Sequence, residues 1–89
     1  MDARRLVGWN IRRLRVEHEM SIEALAGEAE VEPAYLGKLE RGGVNSSLDV
    51  LAKLAAVLRV ELRELFRPFP PGAKAPPPLP SGPRPRRRG

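Results

Sequence analysis

The sequence predicts an all-α fold, a compact five-helix bundle followed by a disordered Pro/Arg-rich tail, and three observations carry that prediction. Apolar residues recur at spacings of three and four through most of residues 1–66. This is the period of a helix with one buried stripe, whereas a strand alternates with a period of two. Most of these stretches begin beside a residue able to cap a helix, and turn residues close them. After Phe66 the text changes to PFPPGAKAPPPLPSGPRPRRRG from residue 68 on, which holds nine of the ten prolines.

The first helix is expected from residue 2 or 3 to residue 18 or 19, with Val7, Ile11 and Leu14 as its core stripe and Leu6 beside them. Trp9 lies off that stripe with Val16 and is expected to close a satellite cluster, and His18 benefits from the dipole at the helix C-terminus. Ser21 caps a second helix in which Ile22, Leu25, Ala26 and Ala29 share a face. The chain then turns through Glu30 and Val31. Glu32 stands at the next cap, and Pro33 suits the first helical position because its missing N–H would be unpaired there anyway. Tyr35, Leu36 and Leu39 form the stripe of this third helix, and Gly42-Gly43 stops it. Ser47 caps a fourth helix with Leu48, Leu51, Leu54, Ala55 and Leu58 on one side, and a short fifth helix is expected at residues 62–66.

Residues 20–42 therefore read as a helix-turn-helix. Neither short helix can bury its stripe alone, so both need a third element behind them, and the outer face of the second stays free. Residues 1–67 make one domain and residues 68–89 a tail. The tail has too little apolar surface to offset the cost of ordering it, so polyproline II or coil is expected there.

Composition narrows the function. With no cysteine and one histidine, a Cys-based zinc site or a histidine metal cluster is excluded, and no cofactor is expected. The charged N-terminus MDARRLVGWNIRRLR lacks an apolar run of signal-peptide or membrane-span length, which predicts a cytoplasmic protein with no membrane partner. The net charge of +5 belongs to the tail: residues 1–66 hold ten Lys or Arg against eleven Asp or Glu, while Arg67, Lys74, Arg84, Arg86, Arg87 and Arg88 have no acid among them. No GxGxxG, P-loop or HExxH motif occurs and no nucleophile–base set is evident, so the chain is not expected to be an enzyme.

The segments NIRRLR, Leu25-Ala26, YLGKLERG at residues 35–42, LDVLAKLAAVL from Leu48 and then LRELF together resemble the lambda-repressor-like, Xre/Cro-type helix-turn-helix DNA-binding proteins. The similarity covers about residues 7–66. It implies a five-helix bundle, commonly dimeric, whose third helix enters the DNA major groove while the second lies across the backbone. It carries base-reading positions onto Pro33, Ala34, Tyr35, Gly37 and Lys38. Of these, Lys38 can donate to guanine or phosphate and Tyr35 can pack on a thymine methyl or bond a phosphate; the other three offer no side-chain hydrogen bond. It also implies a structural salt bridge between Arg15 and Glu40. Three positions depart from the family pattern: Ile22 replaces a phosphate-holding glutamine after Ser21, both still counted with the DNA-binding set, and Glu30 and Arg59 replace turn glycines. Glu28, Glu30 and Glu32 make the approach to the third helix acidic.

Phosphate contacts are further expected from Arg41 and the Gly-Gly loop, with Asn45, Ser46 and Ser47 near the start of the fourth helix. Ser47 serves more simply as the helix cap. For Arg4, Arg5, Arg12 and Arg13, a phosphate-facing surface and an ordinary solvated face fit equally well; Arg12 is counted with the DNA-binding set. Arg84, Arg86, Arg87 and Arg88 can follow phosphates or a minor groove, or PPPLP can meet a protein. The expectation is a sequence-specific DNA-binding transcriptional regulator, a repressor acting as a homodimer on double-stranded DNA without a small-molecule effector. Val57, Val60, Leu62, Phe66 and Phe69 are the dimerisation candidates. A protein-binding module of antitoxin or anti-repressor type is the alternative, favoured by Ile22 and the acidic approach.

Overall fold

The computed structural model describes residues 2–69, so the tail readings for residues 70–89, including Arg84, Arg86, Arg87 and Arg88, lie outside the described residues. Four α-helices form, α1 (Ala3–Glu17), α2 (Ile22–Ala29), α3 (Pro33–Glu40) and α4 (Leu48–Val57), followed by a 3₁₀ segment, Leu62–Phe66. The expected fifth helix is thus corrected to a 3₁₀ turn. Five residues between a turn and Pro68 leave no length for an α-helical ladder, and short 3₁₀ pieces are the common outcome.

Helix starts follow the cap chemistry. Asp2 Oδ1 accepts the Arg4 N–H at 3.0 Å, Ser21 Oγ the Ala24 N–H at 3.0 Å and Ser47 Oγ the Val50 N–H at 3.1 Å. Glu32 makes no side-chain cap, and α3 starts on Pro33 alone. Such caps are worth about 1 kcal/mol each.

Helix ends share one device. A residue at positive φ follows each helix, Glu19 (57°), Glu30 (61°), Gly42 (76°) and Arg59 (59°). The next N–H in every case reaches back five residues: Met20 to Arg15 O, Val31 to Ala26 O, Gly43 to Lys38 O and Val60 to Ala55 O, at 2.8–3.1 Å. This is the Schellman closure. Only Gly42 takes up the left-handed conformation without penalty; the other three carry a cost of about 1–2 kcal/mol each. Full burial of one leucine contributes about 1.5–3 kcal/mol, enough to offset each such turn.

The core gathers Ile11, Leu25, Leu36, Leu39, Leu54, Leu58 and Leu65, all essentially sealed from solvent, with Val7, Leu14, Leu51 and several alanines around them. α1 crosses α3 closely at Gly8, where a Cβ would overlap the backbone carbonyls of Leu39 and Glu40. Glycine there sets the interhelix distance. Asn10 is fully buried, and its Nδ2 donates to Leu6 O, Leu65 O and Arg67 O at 3.1, 3.1 and 2.8 Å. One amide thereby fastens both the 3₁₀ segment and Arg67 onto α1. The docked chain continues to Phe69, whose ring lies 4.8 Å from that of Trp9. Among the described residues no helix is long and apolar enough to cross a membrane.

Candidate nucleic-acid interface

Leu36 and Leu39 pin α3 into the core, and this decides which side of the helix faces outward. Pro33, Ala34, Lys38 and Arg41 are exposed, Tyr35 is half-buried against the core, and Gly37 is buried. An ideal Cβ on Gly37 would meet only the Arg41 guanidinium, at 3.5 Å, so the Arg41 side chain lies back along α3. The outward surface is small and contains two cations, Lys38 and Arg41. Pro33 and Ala34 supply shape without hydrogen-bonding groups.

α2 packs against α3. Ser21 is occupied as the cap, and Ile22 is half-buried, packed against the core. The residue that replaces a polar group in the family pattern is therefore a packing residue. Glu28, Glu30 and Glu32 are all exposed around the turn, as their polarity requires.

The loop after α3 differs from expectation. The Gly42 N–H is bonded to Leu39 O at 3.0 Å and the Gly43 N–H to Lys38 O at 2.8 Å, so neither is free to receive a phosphate. They close the end of α3, where carbonyls would otherwise lack partners. Ser47 is the α4 cap and the Ser46 hydroxyl donates to Ser47 O at 3.3 Å, whereas Asn45 is exposed.

α1 and α3 are locked together by charge as well as by Gly8. Arg15 donates from Nε to Glu40 Oε2 at 2.6 Å, from Nη2 to Glu40 Oε1 at 3.0 Å and from Nη1 to Met20 O at 2.8 Å. Both side chains are only 5% exposed. The bidentate geometry and the third acceptor satisfy the guanidinium fork in a place where an unpaired charge would be costly.

The remaining arginines of α1 behave differently from one another. Arg13 pairs with Glu17 at 3.3 Å, donates to Asn10 Oδ1 at 3.1 Å and sits 5.8 Å from the Trp9 ring centroid. Among the described residues Arg5 and Arg12 make no ion pair; they line a cleft of about 220 Å³ with Trp9, Glu40 and Arg41. Trp9 packs in a cluster with Phe69 and Arg13, which takes Phe69 out of the set of residues free for dimerisation. Two structural contributors, Asn10 and Gly8, stand outside the expectations drawn from sequence. An uncharged amide on the Val7–Ile11–Leu14 stripe and an isolated glycine inside a helix are the signals that point to them.

A bundle in which two short helices meet across a tight turn, with the second held outward by its own leucines, is the geometry of a helix-turn-helix. Residues 11–65 match the family model described as Helix-turn-helix. The chain belongs to this family. It is 45% identical over 62 residues to the HTH-type transcriptional regulator SlrR of Bacillus subtilis, a match that covers 68% of this chain and 41% of SlrR. It is 36% identical over 66 residues to the control protein C.BamHI of Bacillus amyloliquefaciens, covering 73% of this chain and 82% of that one. The restriction-modification controller protein C.AhdI from Aeromonas hydrophila superposes with a TM-score of 0.69 at 40% identity, covering 71% of this chain and 96% of its own. The chain spans about two fifths of SlrR and most of the two control proteins. The relatives it matches are named as transcriptional regulators and control proteins.

Proposed function

We propose that this protein is a sequence-specific DNA-binding transcriptional repressor that acts as a homodimer, with α3 in the major groove of each half-site. The observation that carries the reading is the outward face of α3, where Lys38 and Arg41 project beside the small residues Pro33 and Ala34. Small residues let the helix backbone come close to base edges, and Lys38 donates to a guanine acceptor edge or a phosphate. Ser21 at the start of α2 and Asn45 and Ser46 after α3 flank that face and contact the backbone. Selection of bound duplexes from a random pool tests the reading: a defined, two-fold-related motif is expected, with half-sites about 34 Å apart. Recovery of no motif, with equal retention of random duplex at low and physiological salt, would overturn it.

Dimerisation is assigned to a patch around Phe66. Among the described residues Leu48 and Phe66 are the exposed large apolar ones, at 67% and 41%, and both line an apolar cleft of about 170 Å³ with Val7, Leu39, Val44 and Leu51. Val57, Val60 and Leu62 are partly used by the core, so Phe66 stands out among the candidates. Replacement of Phe66 by Glu is expected to leave a folded monomer by sedimentation and to weaken operator binding. An unchanged dimer would move the interface elsewhere. The tail is assigned a sequence-independent electrostatic role: if its five basic residues beyond Arg67 neutralise phosphates, removal of residues 70–89 flattens log K against log salt by up to ~4.5 units.

A further inference from the structure

The cleft beside α3 holds several cations and one acid that is already committed. Arg5, Trp9 and Arg12 stand one and two turns apart on α1, and with Glu40 and Arg41 they line the 220 Å³ space between α1 and the end of α3. Both oxygens of Glu40 are engaged by Arg15. Among the described residues, the side chains of Arg5, Arg12 and Arg41 form no ion pair and no hydrogen bond. Three guanidiniums thus share one cleft without a free counter-charge.

Two further donors belong to the same lining. Trp9 Nε1 and Arg12 Nε are screened from solvent and have no acceptor, an arrangement that native proteins rarely tolerate without a purpose. The indole is held in place by Phe69 on its ring and by the Arg13 guanidinium. Arg5 and Arg41 are exposed and long, so they can move aside to admit an oxygen to the screened N–H groups. A ligand with several acceptor oxygens and negative charge matches guanidinium forks and lone N–H donors at once, and phosphate has that chemistry.

The geometry points to this cleft as a binding site for a phosphate group, with Arg12 and Trp9 as its inner donors and Arg5 and Arg41 as its outer cations. A phosphodiester of bound duplex is one source, because Arg41 joins the cleft to the outward face of α3; that source rests on the proposed DNA-binding function. A free phosphate compound is the other.

Trp9 is the only tryptophan, so its indole N–H gives one resonance, and because Trp9 also lines a neighbouring cleft with Arg13 and Phe69, the Arg12→Gln variant ties the shift to this one. Full-length protein is titrated with inorganic pyrophosphate and, separately, with the selected duplex, while amide resonances of Lys38 and Gly42 report on α3. Both titrants are expected to shift the indole signal. Arg12→Gln is expected to abolish that shift, weaken duplex binding about tenfold at fixed salt, the scale of one charge-assisted hydrogen bond, and lower the salt slope by about 0.9. Trp9→Phe keeps an aromatic ring and removes the donor, and is expected to weaken duplex binding to a smaller extent, with unchanged thermal midpoint as the control for folding. If duplex moves the α3 amides while the indole stays still to both titrants and Arg12→Gln keeps the parent affinity and slope, the cleft is overturned and DNA binding stands. If duplex moves nothing but pyrophosphate moves the indole and Arg12→Gln removes that response, the proposed function fails while the site survives with a free ligand. Silence of the indole to both titrants overturns the site.

Discussion

The helix-turn-helix and the first helix distribute charge in opposite ways. Across α2, the turn and α3, the exposed acids Glu23, Glu28, Glu30 and Glu32 outnumber Lys38 and Arg41, and the outward surface of α3 is mostly shape. α1 and its cap carry Arg4, Arg5, Arg12, Arg13 and Arg15 against Asp2 and Glu17, and two of those arginines face a cleft without partners among the described residues. In a DNA-binding protein, phosphate contacts position and base contacts specify. Under the proposed function, the contrast separates the two tasks on two elements: α3 would select a sequence, and α1 with the tail would supply the attraction that its acidic surroundings oppose.

The largest expected effect comes from cutting the joint between these regions. Glu40→Ala leaves the Arg15 guanidinium buried without its partner, which should cost about 3–5 kcal/mol of stability. A domain of this kind is stable by only about 5–15 kcal/mol, so urea unfolding should show a midpoint near collapse. A loss under 1 kcal/mol would mean that the two helices are held by the Gly8 crossing and the leucine core alone.

Lys38→Ala tests the division of labour directly. It should weaken the selected duplex by ~1–3 kcal/mol while binding to random duplex falls much less. Equal losses on both duplexes would show Lys38 acting on phosphate only, and the contrast between a selecting α3 and an attracting α1 would then blur.

The two regions also differ in how far their sequence discloses them. α3 is legible because its signals are local: Pro33 at the first position, Leu36 and Leu39 three apart, Gly42 at the end. The departures at Glu30 and Arg59 are legible too, and both do adopt positive φ. Glu19 uses the same turn, but it sits among charged residues that give no contrast. The contributions of Gly8, Asn10, Trp9 and Arg12 depend on where α1 crosses α3 and where the 3₁₀ segment docks. Asn10 meets Leu65 and Arg67 across more than fifty residues of chain, and no periodicity within α1 encodes such a partner. For the short LRELF segment, apolar spacing fits one α-helical turn and one 3₁₀ turn alike, and its length decides the outcome.

A smaller effect is expected at the helix ends. Arg59→Gly removes the penalty of a side chain at φ 59° and partly loses it again to the greater freedom of the unfolded chain. The balance should stabilise the domain by about 1 kcal/mol or less. Thermal unfolding measures it, and because Arg59 lies away from both α3 and the arginine cleft, duplex affinity should stay unchanged. A drop in affinity would assign Arg59 a contact that neither region now claims.

Gly37→Ala has the smallest effect on stability and the sharpest bearing on the comparison. Inside a helix, alanine in place of glycine is favourable by about 0.5–1 kcal/mol, and the new methyl would meet only the Arg41 guanidinium at an ordinary 3.5 Å. The variant should therefore unfold at slightly higher urea than the parent. Yet the methyl lies under the Arg41 guanidinium at ordinary contact distance and so restricts the positions that this side chain can take along α3. If Arg41 acts with α3, as a reader of the groove, selected duplex should bind more weakly while random duplex is unaffected. If Arg41 acts with Arg5 and Arg12 on phosphate, both duplexes should change together and the salt slope with them. The ratio of the two affinities, measured at one salt concentration, thus assigns Arg41 to one region or the other.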